Sequence, residues 1–555
     1  MQELYGRSVC DGIAIGRIKL FKKVQIEITD EEIEEVNQEI KRYQVARDKA
    51  IQLQNELYEK VSVEAGENSA EVFSVHAMML EDDDLNEDII SIIKNHKKAE
   101  YAVDEACKMQ AEVFYSMEDS YMRERGSDII DIGQCIIEQL SGTTQKETDY
   151  NEKRIFIAED LTPSDTVRLN KKMLLGFITK KGSENSHTAI LARNMGIPAI
   201  VQCSQMLESY DGSMAIIDGY KSIVYVDPTE EILEKYKIIQ RDHIEKTKAL
   251  TILIGKKTET KDGKNINLYA NIGSIEELSL AKKNDAEGIG LFRSEFLYLN
   301  SIDYPSEAQQ FEAYKEALQE MSPRKVIIRT CDIGADKSVE YMGLEHEDNP
   351  ALGLRAIRIS LSNRDFFKTQ LRAILRASAY GNLAIMFPMI ISRNELIECK
   401  KILEECKREL DFEKVFYSKS IEIGTMIETP AAVFIADDLA KECDFFSIGT
   451  NDLTQYICAI DRQNASLEAF SDSHHPAVLK AIELTVEAAH KNNCWVGICG
   501  ELGSDLSLTE YFIKLGIDEL SVNTGMILPI REKNSLTFGL SVVNIFSSFP
   551  SPTGL

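Results

Sequence analysis

Beyond about residue 260 the chain repeats one pattern with a regularity that few folds accommodate. Short apolar runs at 265–271, 288–293, 325–331, 383–389, 421–427, 444–449, 494–499 and 517–523 are mostly separated by stretches of helical spacing. Alternation of strand and helix predicts a parallel sheet with helices packed on its outside. Eight such units predict closure into a (β/α)8 TIM barrel, where chemistry gathers at the C-terminal strand ends.

Those ends carry charge. Arg293-Ser294-Glu295 closes the second run, and Arg329-Thr330-Cys331-Asp332 the third, with Lys337 and Arg355 further on. Glu428-Thr429-Pro430 closes the fifth, Asn451-Asp452 the sixth with Asp461-Arg462 beyond it, and Cys499-Gly500-Glu501 the seventh. Ion pairing alone is one explanation of such a pattern. The other is a site. Arg293, Arg329, Arg355, Arg462 and Lys337 suit a small polyanion, because guanidinium forks match carboxylate and phosphate. Glu428 and Asp452, on adjacent strands, suit Mg2+ with water and substrate oxygens filling the shell. Cys499 stands where a proton donor is useful, although buried cysteines are mostly inert.

The N-terminal part reads differently. Alternation over 12–20 predicts a short strand or two. Thr29 and Asp30 then precede Ile33, Val36, Ile40 and Tyr43, an N-cap followed by helical spacing. The helical pattern continues to about Leu140 with few glycines and no proline, which predicts an all-helical subdomain. Its acidic run Glu81–Asp84 is expected to be a solvated helix end, and His76 a packing histidine. Strand patterns return at 155–158, 174–179, 199–201, 214–219 and 223–226. They predict an α/β unit that takes in the N-terminal strands and carries the helical block as an insertion. From Thr229 to about Leu250 one charged helix is expected as a connector, followed by the polar linker 256–264.

Within the α/β unit, His187 follows Ser186, and apolar Ile190, Leu191 and Met195 share one helix face before Gly196 and Pro198 stop it. Ser186 or Asn185 can cap the start. His187 then sits in the first turn, where free N–H groups and the helix dipole favour a neutral imidazole and a neighbouring anion. A neutral imidazole is a nucleophile. A histidine together with a Mg2+-bound anionic substrate suggests phosphoryl transfer.

Composition limits the partners. With 63 Lys and Arg against 91 Asp and Glu, the net charge of −28 disfavours nucleic acid and anionic membranes. Eleven cysteines without a CxxC pair argue for a reducing compartment. The first residues have no signal-peptide core, and no apolar run approaches the ~18–20 residues of a span, so a cytoplasmic protein is expected.

The stretches 158–166, 186–193, 288–297 and 445–456 (Ala-Glu-Asp-Leu-Thr-Pro-Ser-Asp-Thr, Ser-His-Thr-Ala-Ile-Leu-Ala-Arg, Gly-Ile-Gly-Leu-Phe-Arg-Ser-Glu-Phe-Leu and Phe-Phe-Ser-Ile-Gly-Thr-Asn-Asp-Leu-Thr-Gln-Tyr) resemble Enzyme I of the bacterial phosphotransferase system. These are the phosphoenolpyruvate–protein phosphotransferases, and the resemblance covers nearly the whole chain. Phosphoenolpyruvate synthase and pyruvate phosphate dikinase share the motifs but carry a further large ATP-binding domain. The resemblance implies four regions. Residues 1–27 with 146–228 form the phosphohistidine domain, 28–145 the docking insert for the phosphocarrier HPr, 229–260 a linker helix, and 261–555 the substrate-binding barrel, through which the family dimerises. It implies that phosphoenolpyruvate phosphorylates His187, oriented by Thr166, with release of pyruvate. It implies Arg293, Arg329, Arg355 and Arg462 as clamps, Lys337 and Asn451 as further contacts, Glu428 and Asp452 as Mg2+ ligands, and Cys499 as proton donor. Residue by residue there are departures: Ser183 and Glu184 in a stretch usually Gly-Gly-Arg-Thr, Asp83 for a usual proline, and Ser222 for a usual glycine. They keep two alternatives in view, a paralogue serving a regulatory carrier and a non-catalytic binding module.

Overall fold

The computed structural model describes residues 1–537 apart from 22–25, 27, 66, 117–119, 143–151, 170–172, 183–188, 190–191, 193–195, 206–207, 276, 300, 302, 335–338, 463, 465–466, 468–469 and 471. His187, Lys337, Ser183 and Glu184 therefore lie outside the described residues. The chain divides into two units, Met1–Lys246 and Thr247–Leu555. Among the described residues no helix is long and apolar enough to cross a membrane.

The first unit is built on one mixed sheet. Its strands are β1 (Gln2–Tyr5), β2 (Arg7–Cys10), β3 (Ile13–Leu20), β4 (Arg154–Ala158), β5 (Leu174–Thr179), β6 (Ala199–Val201), β7 (Met214–Asp218) and β8 (Ile223–Val226). They lie in the order β1-β8-β7-β3-β4-β5-β6-β2. Alternate side chains serve opposite faces, as the pleat requires. Ile155, Ile157 and Ile178 join one buried cluster with Leu4 and Val224. Phe156, Ala158 and Phe177 join another with Ala189 and Ala192. Ala189 and Ala192 are helical, three residues apart, and so belong to the predicted histidine helix. Gly196 takes φ +62°, and the Ile197 N–H donates to the Ala192 carbonyl at 3.1 Å; Ser186, Ile190, Leu191 and Met195 lie outside the described residues.

Among the described residues, five helices separate β3 from β4: α1 (Val36–Ala65), α2 (Glu67–Glu81), α3 (Asp83–Lys94), α4 (Ala99–Tyr115) and α5 (Ser120–Ser141). The first begins later than the Thr29-Asp30 cap predicts. Residues 30–33 run instead beside the α3–α4 turn. The Ile33 N–H donates to the His96 carbonyl, and His96 Nδ1 meets the Ile33 carbonyl, both at 2.9 Å. Lys97 and Lys98 pair with Asp30 and Glu31. A long-range pairing has outcompeted a local capping signal. Glu81–Asp84 is exposed, and Asp82 caps α3 by accepting from the Leu85 N–H at 2.9 Å. Asp83 is then the first helical residue, a position that proline also fits. Ser222 has φ +56°, the left-handed region where glycine is unstrained. Helix α4 presents a face of small residues, Ala99, Ala102, Val103, Ala106, Cys107 and Ala111, all buried. Across it Gly133 of α5 approaches so closely that an added Cβ would stand 2.7 Å from Cys107 Sγ.

The second unit is a closed barrel of eight parallel strands: β9 (Asn267–Ile272), β10 (Gly288–Arg293), β11 (Lys325–Arg329), β12 (Asn382–Phe387), β13 (Glu422–Ile427), β14 (Phe445–Ile448), β15 (Trp495–Ile498) and β16 (Glu519–Asn523). Ile289, Val326, Ile385 and Ile448 face outward into the core shared with the surrounding helices. Ile327, Ala384, Met386, Met426, Phe445 and Cys499 belong to a separate cluster that fills the barrel. Helix starts are capped as their sequences dictate: Ser306 with Gln309, and Ser392 with Glu395, each form a capping box. Replacing Gly133 with valine is expected to destabilise the helical segment by about 1–3 kcal/mol through overpacking against Cys107. Denaturant unfolding followed by circular dichroism checks it.

Candidate active site

Strand closure brings the charged strand ends together at one mouth. Arg329, the last residue of β11, is in register with Arg293, the last residue of β10. Arg329 is buried. Its Nη2 donates to Glu295 Oε1 at 2.9 Å, and its Nη1 pairs with Asp332 Oδ2 at 2.8 Å. Glu295 Oε1 also accepts from the Asp332 N–H at 2.7 Å. The other Asp332 oxygen accepts from Arg355 Nη2 at 2.9 Å. One carboxylate thus holds two buried guanidinium groups. Arg355 Nη1 extends to the Tyr456 hydroxyl at 3.3 Å and towards Asp452 Oδ1 at 3.8 Å. Arg462 Nη2 approaches the same Asp452 oxygen at 3.7 Å, and its backbone N–H donates to Gln455 Oε1 at 3.1 Å.

Glu428 follows β13 and is 1% exposed. The Met389 N–H donates to its Oε1 at 2.6 Å from a residue whose own φ is +54°. Its Oε2, like Asp452 Oδ1, is buried without a hydrogen-bond partner among the described residues. Burial, and then the nearby Asp332 and Asp452 carboxylates, push the Glu428 carboxyl up to about 8, against the pull of Arg329. Two inward carboxylate oxygens that lack donors and repel each other are the expected state of a cation site. Among the described residues no cluster of three or more His, Cys, Asp or Glu could hold a metal ion. These two carboxylates would therefore leave much of a coordination shell to water and substrate oxygens.

The remaining residues fall around this core. Arg293 is exposed, and among the described residues it makes no hydrogen bond or ion pair. Asn451 exchanges two hydrogen bonds with Glu501: Nδ2 donates to Glu501 Oε1 at 3.0 Å, and its Oδ1 accepts from the Glu501 N–H at 2.9 Å. Cys499 is buried, its Sγ 3.7 Å from the Ile448 carbonyl, and burial pushes its thiol up to about 12. Thr166 is buried in the helix Pro163–Arg168, which Thr162 and Asp165 start with a capping box. Sequence reasoning read Glu295 and Asp332 only as charged strand-end residues. The structure makes them the counter-ions that orient the arginines. Their signal was spacing: each sits two or three residues past a strand-end arginine.

A barrel whose mouth gathers buried arginines and carboxylates, in a chain that also carries a mixed sheet interrupted by helices, defines an enzyme that handles a small anion. Three family profiles agree. One described as "PEP-utilising enzyme, PEP-binding domain" matches residues 248–536, one described as "PEP-utilising enzyme, N-terminal" matches 5–125, and one described as "PEP-utilising enzyme, mobile domain" matches 150–222. Among individual relatives, the phosphoenolpyruvate-protein phosphotransferase of Priestia megaterium is 40% identical over 96% of this chain and 93% of its own. That of Bacillus subtilis is 40% identical over 96% of this chain and 94% of its own. A solution structure of Enzyme I is 37% identical, covering 43% of this chain and 99% of its own, with a TM-score of 0.37. The chain belongs to the phosphoenolpyruvate-protein phosphotransferase family, a family of transferases.

Replacing Asp332 with alanine leaves two buried guanidinium groups short of a counter-ion. A loss of about 3–5 kcal/mol of barrel stability is expected, measured by denaturant unfolding.

Proposed function

We propose that the chain transfers the phosphoryl group of phosphoenolpyruvate to its own His187 and then to a histidine of the phosphocarrier HPr, releasing pyruvate, as the first step of sugar uptake. The observation that carries this reading is the barrel mouth itself, where Arg329 and Arg355 are held over Glu428 and Asp452 in a member of this family. Arg329 and Arg355 are fixed by Asp332 and Glu295, so their remaining N–H groups meet an anion without reorganisation. The Nε atoms of both are buried without partners among the described residues. Arg293 and Arg462 close on the substrate from the exposed side, joined by Lys337 and Asn451. Glu428 and Asp452 would hold Mg2+, whose charge would offset that of the phosphate as the enolate departs.

In the first step the bond between phosphorus and the enolate oxygen breaks and a bond to neutral His187 forms. Cys499 then gives its thiol proton to the methylene carbon of the enolate, which leaves pyruvate and a thiolate. His187 serves both transfers, so the segment bearing it moves between substrate and carrier, with 229–264 as the connecting region. The helical segment 28–145 receives HPr, and its exposed Met78, Met109 and Val113 supply apolar contact area. Thr166 orients the histidine. We further assign residues 1–27 with 146–228 to the phosphohistidine domain, 229–260 to the linker helix and 261–555 to the barrel domain, which dimerises, and place the protein in the cytoplasm.

Intact-mass spectrometry at neutral pH or above, after mixing with phosphoenolpyruvate and Mg2+, tests the first half-reaction. One added phosphoryl group, labile to acid and absent from His187→Ala, is expected. No added mass on the folded protein would overturn the reading and turn attention to Glu184. Arg293→Ala or Glu428→Gln should slow phosphorylation by phosphoenolpyruvate by about 10²-fold or more, while back-transfer from phosphorylated HPr to His187 persists. Removing divalent cations with EDTA should abolish the forward step and be reversed by Mg2+.

A further inference from the structure

The barrel interior holds a carboxylate that the steps above do not use. Glu519, at the start of β16, is fully buried, and neither of its oxygens has a hydrogen-bond partner among the described residues. The barrel has made room for it with two glycines. A Cβ on Gly290 would stand 2.3 Å from Glu519 Oε1, and one on Gly497 would stand 1.8 Å from Oε2. Ser521 Oγ crowds the same space over Gly290, 2.4 Å from that Cβ position, and donates its own proton to Asn271 Oδ1 at 2.6 Å. The serine oxygen is left to accept from a protonated Glu519. Asn271 in turn donates to the Cys499 carbonyl at 3.0 Å.

On the other side, the strand register places Ser447, Gly497 and Glu519 in one row across β14, β15 and β16. Glycine is the middle member, and the Glu519 carboxylate itself fills the space a Gly497 Cβ would take, on the side of the row that leads to Ser447. Ser447 Oγ is buried without a hydrogen-bond partner among the described residues. Cys499 lies two residues beyond Gly497, on the same face of the pleat. Below, at the N-terminal end of the barrel, Lys325 pairs with half-exposed Glu422 at 2.8 Å, and Trp495 Nε1 donates to the same carboxylate at 3.0 Å. The ionisable groups facing Glu519 are Lys325, Asp518, Tyr269 and Cys499.

We propose that Glu519 is the proton store that recharges Cys499 between turnovers, passing its carboxyl proton through the Ser447 hydroxyl across the slot above Gly497. The inference rests on Cys499 being the proton donor to the enolate. When the thiol has protonated the methylene carbon, a thiolate remains in a buried site that does not tolerate charge. The Glu519 O–H bond breaks, Ser447 accepts that proton while giving its own to the sulfur, and the thiol is restored. The negative charge now rests on Glu519, beside Lys325. A proton from solvent, entering where Lys325 and Glu422 reach the surface, neutralises it. Atoms balance over the cycle, with one solvent proton consumed per pyruvate. Burial holds the Glu519 carboxyl well above its ordinary range, against the pull of Lys325, so it carries the proton to be passed, and burial also pushes the Cys499 thiol up to about 12.

Glu519 acts through Cys499 and does not touch substrate, so the test separates the first turnover from later ones. Rapid-quench measurement of pyruvate, with the full chain, phosphoenolpyruvate, Mg2+ and HPr as acceptor, compares wild type, Glu519→Gln and Cys499→Ala. In Glu519→Gln the first-turnover burst should match wild type, because the resident thiol proton is in place, while the steady-state rate falls about tenfold or more. Ser447→Ala should give the same split, and it serves if Glu519→Gln fails to fold, as judged by loss of cooperative denaturant unfolding. Equal loss of burst and steady state would make Glu519 a structural support and overturn the proposal. Wild-type steady-state rates in both Glu519→Gln and Ser447→Ala, with Cys499→Ala inactive, would overturn it and leave the role of Cys499 standing. Wild-type pyruvate formation by Cys499→Ala would remove the reading on which it rests.

Discussion

The barrel mouth depends on the sharing of one carboxylate. Asp332 holds Arg329 with one oxygen and Arg355 with the other, and the backbone N–H of the same residue is tied to Glu295. Two guanidinium groups brought out of water side by side repel each other and lose hydration, so the charge between them decides whether the site exists at all. Glu295 supplies the second counter-charge. The Nε atoms of both arginines, like Glu428 Oε2 and Asp452 Oδ1, are buried without a hydrogen-bond partner among the described residues. The buried Glu428 and Asp452 oxygens thus keep acceptor capacity that a cation would use.

The fold delivers these groups because every strand points the same way. Parallel strands bring their C-terminal ends to one rim, and register then fixes which residues are neighbours: Arg293 opposite Arg329, Ile427 opposite Ile448. Inside, the packing is not uniformly apolar. Leu291, Ile327, Met386 and Met426 fill one part of the barrel, and the Trp495 ring stacks on Phe445 with centroids 4.6 Å apart. Among them β9, β14, β15 and β16 also place the polar Asn271, Ser447, Glu519 and Ser521 and the small Gly497.

Much of this was legible in the residues. Eight apolar runs predicted eight barrel strands, and the strand-end charges marked the rim before any geometry was available. The Gly196 stop of the histidine helix and the charged helix seen at Glu230–Thr251 were readable for the same reason, since each is a local signal with a local cause. What escaped was set by distant partners. The start of α1 was misplaced because Ile33 prefers His96, more than sixty positions away, to its own helix. The four-residue β1 exists by pairing with β8 at the far end of the unit. Asp332 and Glu295 looked like any strand-end acids until closure set them against arginines. Glu519, in Asp-Glu-Leu-Ser-Val-Asn, alternates as a strand with one wet face would, and only barrel closure turns that face inward.

The sheet of the first unit also dictates an order of assembly. β3 and β4 are paired neighbours although about 130 residues lie between them, a loop whose closure is entropically costly while it is unstructured. The helices rely on contacts close in sequence, which form quickly. β1 and β2 find their partners only in β8 and β6, more than 190 positions later. During synthesis, then, the first strands to emerge are among the last to be paired. They wait with open edges while the helical segment folds ahead of them and draws β3 and β4 together. An isolated N-terminal fragment ending before β6 would expose those edges permanently, and aggregation rather than a smaller folded domain is the physical fate of such a truncation.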